Sequence, residues 1–280
     1  MFAERNYSDG LTQSTMRIDC WLSDGTSISG TGFFCKLPLR EIGIEATIIV
    51  TNKHVIEDSD TGIIYLPIVH SNGQRDIREF EVSQFENRWQ LHPDPEVDLC
   101  FAGFGDLLNA DELNAGEYKL NYHVFDEKFF PELHNRFIYS AVEDVLMIGY
   151  PNGIMDEENM MPVVRKGITA TGFNLDYEGR SEFLVDIPAI SGSSGSPILY
   201  YDRVLVDRPG HQSPSFSYAI KLLGVLYGGY DKDDDQFVCK RIKDIEDSDY
   251  SFNLNLGVAV KSNRILEFIP QLIDLMKANE

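Results

Sequence analysis

Residues 189–199, AISGSSGSPIL, place five small or hydroxyl-bearing residues, Ser191 to Gly195, ahead of Ser196, Pro197 and an apolar run. Two interpretations fit this stretch. It could be a flexible surface loop, or a tight turn that presents one serine as a nucleophile while backbone N–H groups point at the atom under attack. The stretch does not decide between them, so the choice depends on partners elsewhere in the chain.

A serine hydroxyl is a weak nucleophile at neutral pH and needs a base within hydrogen-bond reach. Among the six histidines, only His54 follows an apolar run at a sharp break, in ATIIVTNKHVIED (46–58). A strand that ends at Asn52 and one helical turn after it would fix this imidazole at the mouth of a barrel. The alternative is a purely structural histidine.

The base needs a carboxylate that orients it, and two aspartates are candidates. Asp98 stands in PDPEVDLCFAGF (93–104) where an apolar run begins, and a carboxylate leading into a buried strand needs a partner. Asp186, in FLVDIPAI (183–190), lies eight residues before Ser194. We therefore expect Asp98 to be the orienting acid and Asp186 to shape a pocket wall.

The elements that must position these residues are predicted to be strands. About six short runs rich in β-branched and aromatic residues lie on each side of a charged middle segment, roughly 105–140. This pattern favours antiparallel barrels or sandwiches. Near the C-terminus, Ser262 can cap a helix with one apolar face, and Pro270 predicts a kink within it.

Composition narrows the possible partners and compartments. A formal charge of −21 over 280 residues repels phosphate groups, which argues against binding to nucleic acid or an anionic membrane. No secretory signal and no C-x-x-C pair are seen, so we expect a cytoplasmic protein with reduced thiols and no metal or other cofactor. The acidic stretch 230–236 is interpreted as a solvated loop, because it lacks the pattern of a calcium loop.

The order His54, Asp98, Ser194 resembles that of the chymotrypsin-like (trypsin-fold) serine peptidases, specifically their HtrA/DegP-like branch. The likeness spreads over roughly residues 28–266 and follows the family's order: GTGFF (30–34), IIVTNKHV (48–55), VDLCFAGF (97–104), VLMIGYPNG (145–153), VVRKGITATG (163–172), GSSGSP (192–197), LLGVLYGG (222–229) and NLGVAVKSNRI (255–265).

The resemblance implies an all-β fold of two six-stranded antiparallel β-barrels with a C-terminal helix. The expected boundaries are an N-terminal barrel over 1–110, a connecting segment over 111–140, a C-terminal barrel over 141–260 and the helix over 261–280. The chain leaves no room for the PDZ module common in HtrA proteins, so we expect recruitment by another route, with a separate regulatory partner protein as one candidate.

The resemblance also implies the role of each site residue. Ser194 is the expected nucleophile, His54 the base and Asp98 the orienting acid, and the N–H groups of Gly192 and Ser194 would form the oxyanion hole. Ser196 departs from the family's usual glycine and is a rival nucleophile. Ser193 stands where zymogens carry an aspartate, which argues against activation by cleavage of the N-terminus.

The expected substrate is a protein or peptide cleaved by acyl transfer. By position, the residues expected to bind it are Pro188, Ser191, Leu226, Tyr227 and Gly228, with Tyr227 narrowing the pocket. Pro188 replaces the acidic pocket floor of trypsin, so a strict preference for arginine or lysine is not predicted. The alternatives are a catalytically silent peptidase fold that acts as a binding or regulatory module, and an esterase, which would need a G-x-S-x-G elbow that GSSGS lacks.

Overall fold

The computed structural model describes residues 10–107, 118–132, 139–206, 215–233, 236–244 and 254–278. These residues build two antiparallel sheets, one from each half of the chain. Alternating apolar residues on β-branched and aromatic runs explain why strands dominate both halves.

The first sheet has eight strands: β1 Thr15–Leu22, β2 Ser27–Leu39, β3 Ile44–Thr51, β4 Ser59–His70, β5 Arg75–Ser83, β6 Gln90–Leu91, β7 Cys100–Gly103 and β8 Tyr118–Leu120. Their order in the sheet is β5-β4-β1-β2-β3-β7-β6, and β8 pairs with β4. Strand β8 falls in the range expected for the connecting segment, and it joins the first sheet by pairing with the end of β4 at His70.

The second sheet also has eight strands: β9 Asp144–Gly149, β10 Met155–Asp156, β11 Met161–Ile168, β12 Glu182–Asp186, β13 Pro197–Val206, β14 Ser215–Asp233, β15 Gln236–Arg241 and β16 Leu256–Lys261. Their order is β10-β11-β9-β13-β14-β16-β12, and β15 pairs with β14. The expected fold of two antiparallel β-barrel-like halves is confirmed, and short added strands bring each sheet from six strands to eight.

The described helices are short: α1 Lys53–Ile56, α2 Phe104–Leu107 and α3 Ile269–Ala278, with 3-10 turns at Glu86–Arg88, Glu127–Phe129, Pro151–Gly153, Ile242–Asp244 and Ser262–Phe268. The expected C-terminal helix is present, but Pro270 does not kink it. The α-helix begins at Ile269, so Pro270 lies in its first turn, where no backbone N–H is needed. None of the described helices has the length and apolar character that would span a membrane.

One buried apolar cluster joins the two halves of the chain. It contains Phe33 and Phe101 of the first sheet together with Val225 and Val260 of the second. The ring of Phe268 lies 4.7 Å from that of Phe101, so the turn before α3 fastens the chain's end onto the first sheet. Each such side chain contributes about 1.5–3 kcal/mol on burial, which makes the junction between the sheets a firm base for a site.

Candidate active site

The first sheet supplies two side chains from the ends of neighbouring strands. His54 is in α1, directly after β3, and Asp98 lies two residues before β7, which pairs with β3. The side-chain amide of Asn52 donates to the Asp98 carbonyl at 2.7 Å. This bond ties the start of the helical turn to the strand that carries the carboxylate.

The imidazole of His54 lies between a carboxylate and a hydroxyl. Its Nδ1 is 2.5 Å from Asp98 Oδ2, and its Nε2 is 2.7 Å from Ser194 Oγ. The backbone N–H of His54 donates to the other carboxylate oxygen, Oδ1, at 3.1 Å. An ionised carboxylate only accepts hydrogen bonds, so Nδ1 carries the proton and Nε2 is free to accept one from the serine.

Asp98 is arranged to remain ionised. Burial raises its pKa, but the hydrogen bonds from the side chain and the backbone of His54 lower it, and the net result is a pKa below the ordinary value. The positive charge of Arg241 adds to the lowering. The carboxylate can therefore hold the imidazole in one tautomer and stabilise it when it becomes protonated.

The serine stands in a turn between β12 and β13 that two glycines make possible. Gly192 and Gly195 have φ of +81° and +85°, a left-handed backbone that other residues rarely adopt. A Cβ on Gly195 would also collide with the backbone carbonyl of Thr31. The turn closes on itself through Ser193 N–H to Ile190 O at 2.9 Å and Ser196 N–H to Ser193 O at 3.0 Å.

The backbone N–H groups of Gly192 and Ser194 have no protein acceptor among the described residues. The carbonyl of Ser191 accepts from Asn152 N–H at 2.6 Å, and the carbonyl of Ser193 accepts from Ser196 N–H. Because each peptide is planar and trans, fixing these carbonyls directs the N–H groups of Gly192 and Ser194 the opposite way. Both donors are thus preset for an anionic oxygen.

Thr31 of β2 connects the two halves at this turn, and the sequence analysis gave it no role. Its N–H donates to Ser194 O at 2.8 Å, and its Oγ1 donates to Gly192 O at 2.9 Å. Its own carbonyl accepts from Thr51 Oγ1 at 2.8 Å. The GTGFF motif was the available signal, but the contact spans 161 residues and could not be read from local pattern.

The structure separates the rival candidates from the site. Ser196 Oγ is buried without a hydrogen-bond partner among the described residues, and it is Ser194 that reaches His54. Asp186 is exposed at the end of β12, whereas Asp98 contacts the imidazole. Ser193 is also buried, with an unpartnered Oγ within the described chain.

The five residues expected to bind substrate do not form one wall. Leu226 belongs to a buried cluster with Ala189, whereas Tyr227 belongs to the other large cluster and its OH lies 3.9 Å from Cys239 Sγ. Tyr227 therefore does not narrow a pocket beside Leu226, because successive side chains of a strand face opposite sides.

Of the other three residues, Pro188 and Ser191 belong to the segment that contains the serine turn, and Gly228 lies on a neighbouring strand. The carbonyl of Pro188 accepts from Arg165 NH1 at 2.8 Å, so its backbone faces that guanidinium. Ser191 is exposed. Gly228 lies on β14, where its backbone pairs with both β16 and β15. In the part of the chain that the structure describes, no group of three or more histidine, cysteine, aspartate or glutamate residues could hold a metal ion.

Comparisons with known proteins agree with this architecture. Residues 30–206 match the trypsin-like peptidase domain, a span that includes His54, Asp98 and Ser194. No curated protein matches the chain.

Similar solved structures include a catalytically inactive tobacco etch virus protease complexed with substrate, at 14% identity and a TM-score of 0.49, covering 94% of this chain and 84% of that one. A scabies mite inactivated protease paralogue is 14% identical, with a TM-score of 0.45, covering 96% and 97%. An M. tuberculosis protease in its active form is 15% identical, with a TM-score of 0.42, covering 92% and 80%.

Proposed function

The chain belongs to the trypsin-like peptidase family, and from that premise we propose that it is a serine endopeptidase with Ser194, His54 and Asp98 as its catalytic residues. The observation that carries the proposal is the continuous contact from Asp98 through His54 to Ser194, at 2.5 Å and 2.7 Å. The closer placement in an HtrA/DegP-like branch without a PDZ domain stays a prediction.

In the proposed first step, Ser194 Oγ attacks a peptide carbonyl as His54 Nε2 takes the hydroxyl proton. The tetrahedral oxyanion accepts hydrogen bonds from Gly192 N–H and Ser194 N–H, the two preset donors. A donor of this kind stabilises the transition state by about 2.7–4 kcal/mol. The protonated imidazole then gives its proton to the leaving amine, which leaves an acyl-enzyme on Ser194.

In the proposed second step, water replaces the amine. His54 Nε2 takes a proton from this water, which attacks the ester carbonyl, and the same proton returns to Ser194 Oγ when the ester bond breaks. Asp98 keeps the imidazole in its orientation through both steps. The carboxylate of Asp98 is largely buried and its pKa lies below the ordinary value, which supports this role, because a neighbouring anion favours the imidazolium that forms twice per cycle.

We propose that the residue before the scissile bond is apolar. The apolar side chains of Ala189 and Leu226 share a cluster beside the serine turn, and Pro188 offers no charge for a basic side chain. We also propose that no cleaved N-terminus is needed, since Ser193 carries no charge to bind one and the backbone of the turn is already fixed by Thr31 and Asn152.

An alkyl fluorophosphonate, which forms a covalent bond only with an activated serine, tests the proposed nucleophile. We expect wild type to be labelled at Ser194 and Ser194→Ala to remain unlabelled, with peptide turnover reduced by about 10⁶. Ser196→Ala is the matched control, since it removes the neighbouring buried hydroxyl and should still be labelled.

If labelling persists in Ser194→Ala and disappears in Ser196→Ala, the nucleophile is Ser196 and the proposed role of Ser194 is wrong. Wild type that is never labelled and never cleaves a peptide would favour the second candidate function, a silent peptidase fold that binds partners.

A further inference from the structure

The candidate catalytic pair is covered in this structure. His54 is 1% exposed and Ser194 is 2% exposed. A peptide carbonyl has to reach Ser194 Oγ within hydrogen-bond range of the two backbone donors, so the side chains that act on it need an open approach. The residues that line the approach to Ser194 therefore bear on how an extended substrate reaches it.

The edge of β14 is the natural place for an extended substrate. Leu226 exchanges backbone hydrogen bonds with the serine turn, donating to Ser196 O at 3.0 Å and accepting from Gly195 N–H at 2.9 Å. Past Leu226 the same edge of β14 continues away from Ser194. Peptides commonly bind by adding a strand to such an edge, and here the added strand would run towards the nucleophile.

Strand β15 already fills that edge. It pairs antiparallel with β14, with Gly228 opposite Arg241 and Gly229 opposite Lys240, while β16 pairs with the other edge of the same two glycines. The carbonyl oxygen of Lys240 lies 2.6 Å from the position that a Cβ on Gly228 would take, so the two backbones are in close contact. Since β15 is antiparallel to β14, its chain runs towards Ser194, which is the direction expected of a bound peptide.

The 3-10 turn that follows β15 also packs beside the serine turn. Ile242 is buried and belongs to the same apolar cluster as Ala189 and Leu226, the residues proposed to receive an apolar substrate side chain. An aliphatic side chain of the protein itself thus takes part in the cluster that borders the serine turn.

Two ion pairs fasten the segment to the other half of the molecule. Lys243 Nζ contacts Glu57 Oε2, and Arg241 NH1 lies 3.5 Å from the same oxygen. Glu57 directly follows α1, three residues after His54, so these ion pairs connect the second half of the chain to the element that carries the base. The positive charge of Arg241 also lowers the pKa of Asp98.

We propose that residues Gln236–Asp244 act as a built-in competitor of substrate, here named the edge segment. It occupies the backbone edge of β14 and contributes Ile242 to the apolar cluster beside the serine turn, and it has to leave before an extended peptide can pair with β14. The inference rests on the proposed peptidase function. It predicts that the resting protein turns over extended substrates slowly, and that loosening the ion pairs at Glu57 speeds this turnover.

The test compares wild type with Glu57→Gln, which removes the carboxylate shared by both ion pairs. Fluorescently labelled casein serves as an extended substrate. We expect kcat/KM to rise roughly threefold to tenfold, as fits two part-exposed pairs. Glu41→Gln is the matched control, because it removes one exposed carboxylate and its ion pair with Lys277 far from Ser194, and it should match wild type.

Hydrogen exchange gives a second measurement that needs no variant. Binding of an extended peptidyl fluorophosphonate to wild type should speed exchange at the amides of Val238 to Arg241, whereas a small alkyl fluorophosphonate should leave them protected.

The edge-segment proposal fails if casein turnover is the same in wild type, Glu57→Gln and Glu41→Gln and if the β15 amides stay protected under the extended inhibitor. If no form is labelled at Ser194 by the small fluorophosphonate, the proposed peptidase function fails, and the edge-segment proposal fails with it.

Discussion

The two sheets position their reactive groups in different ways. The first sheet places His54 and Asp98 at the ends of regular, paired strands, where ordinary backbone conformations suffice. The second sheet places Ser194 on an irregular turn with two glycines in the left-handed region. The base and the acid thus depend on local structure, whereas the serine depends on a strained turn that something else must support.

That support comes from the opposite sheet. Thr31 of β2 binds the backbone at Gly192 and Ser194, and within the second half Asn152 binds Ser191. The first sheet therefore serves as a scaffold for both halves of the site. Strand β14 runs for 19 residues and pairs with β15, so the strand proposed to compete with substrate belongs to the second sheet.

Among the residues that support Ser194, the largest effect is expected from changing Asp98 of the first sheet. In Asp98→Asn the side-chain amide would donate towards Nδ1 and favour the wrong tautomer of His54, which typically lowers kcat by about 10⁴. Peptide turnover and the rate of fluorophosphonate labelling measure the loss.

Asp76→Asn is the control for this change, because it removes the carboxylate of another histidine–aspartate pair, His70 with Asp76 at 3.3 Å, on the same sheet. Equal losses in the two variants would mean that Asp98 has no special role.

The same contrast explains which features were predictable from sequence. His54 and Asp98 lie beside apolar runs with strong local patterns, and GSSGSP has the glycine spacing of a tight turn. The division into two antiparallel sheets followed from short runs between turn signals. Each of these features depends on residues close together in the chain.

The features that escaped prediction depend on distant residues. Nothing near Thr31 indicates a bond to Gly192, 161 residues away. The acidic stretch 230–236 is interpreted from the sequence as a solvated loop, but the structure ends β14 at Asp233 and begins β15 at Gln236, because each strand offers the other an edge. Pro270 suggested a kink because the start of α3 could not be located without the preceding 3-10 turn.

A smaller effect is expected from distorting the strained turn at Gly192. A Cβ at this position would meet the carbonyl of Tyr150 and the amide of Asn152, and it would force the oxyanion donor out of place. We expect Gly192→Ala to lower kcat by about 10²–10³, with little change in KM.

Gly73→Ala is the control that distinguishes backbone strain at a glycine of positive φ from loss of the N–H donor of Gly192. Gly73 has φ of +85° but nothing within 4 Å of a Cβ, so this variant should show a modest loss of stability and no loss of activity. A Gly192→Ala enzyme as active as Gly73→Ala would show that the N–H of Gly192 is not a catalytic donor.

The smallest effect is expected from removing the hydrogen bonds of the Thr31 hydroxyl, which link the two sheets, while keeping the shape of the side chain. Thr31→Val removes the hydroxyl that donates to Gly192 O and accepts from Tyr150 N–H at 3.2 Å. A net loss of about 1 kcal/mol corresponds to roughly a fivefold fall in kcat. Thr31→Ser keeps the hydroxyl, and turnover near the wild-type value in that variant would assign the effect to the hydrogen bond. If the valine variant turns over at the wild-type rate and the serine variant is slow, packing of the methyl group holds the turn, and the first sheet supports Ser194 by shape alone.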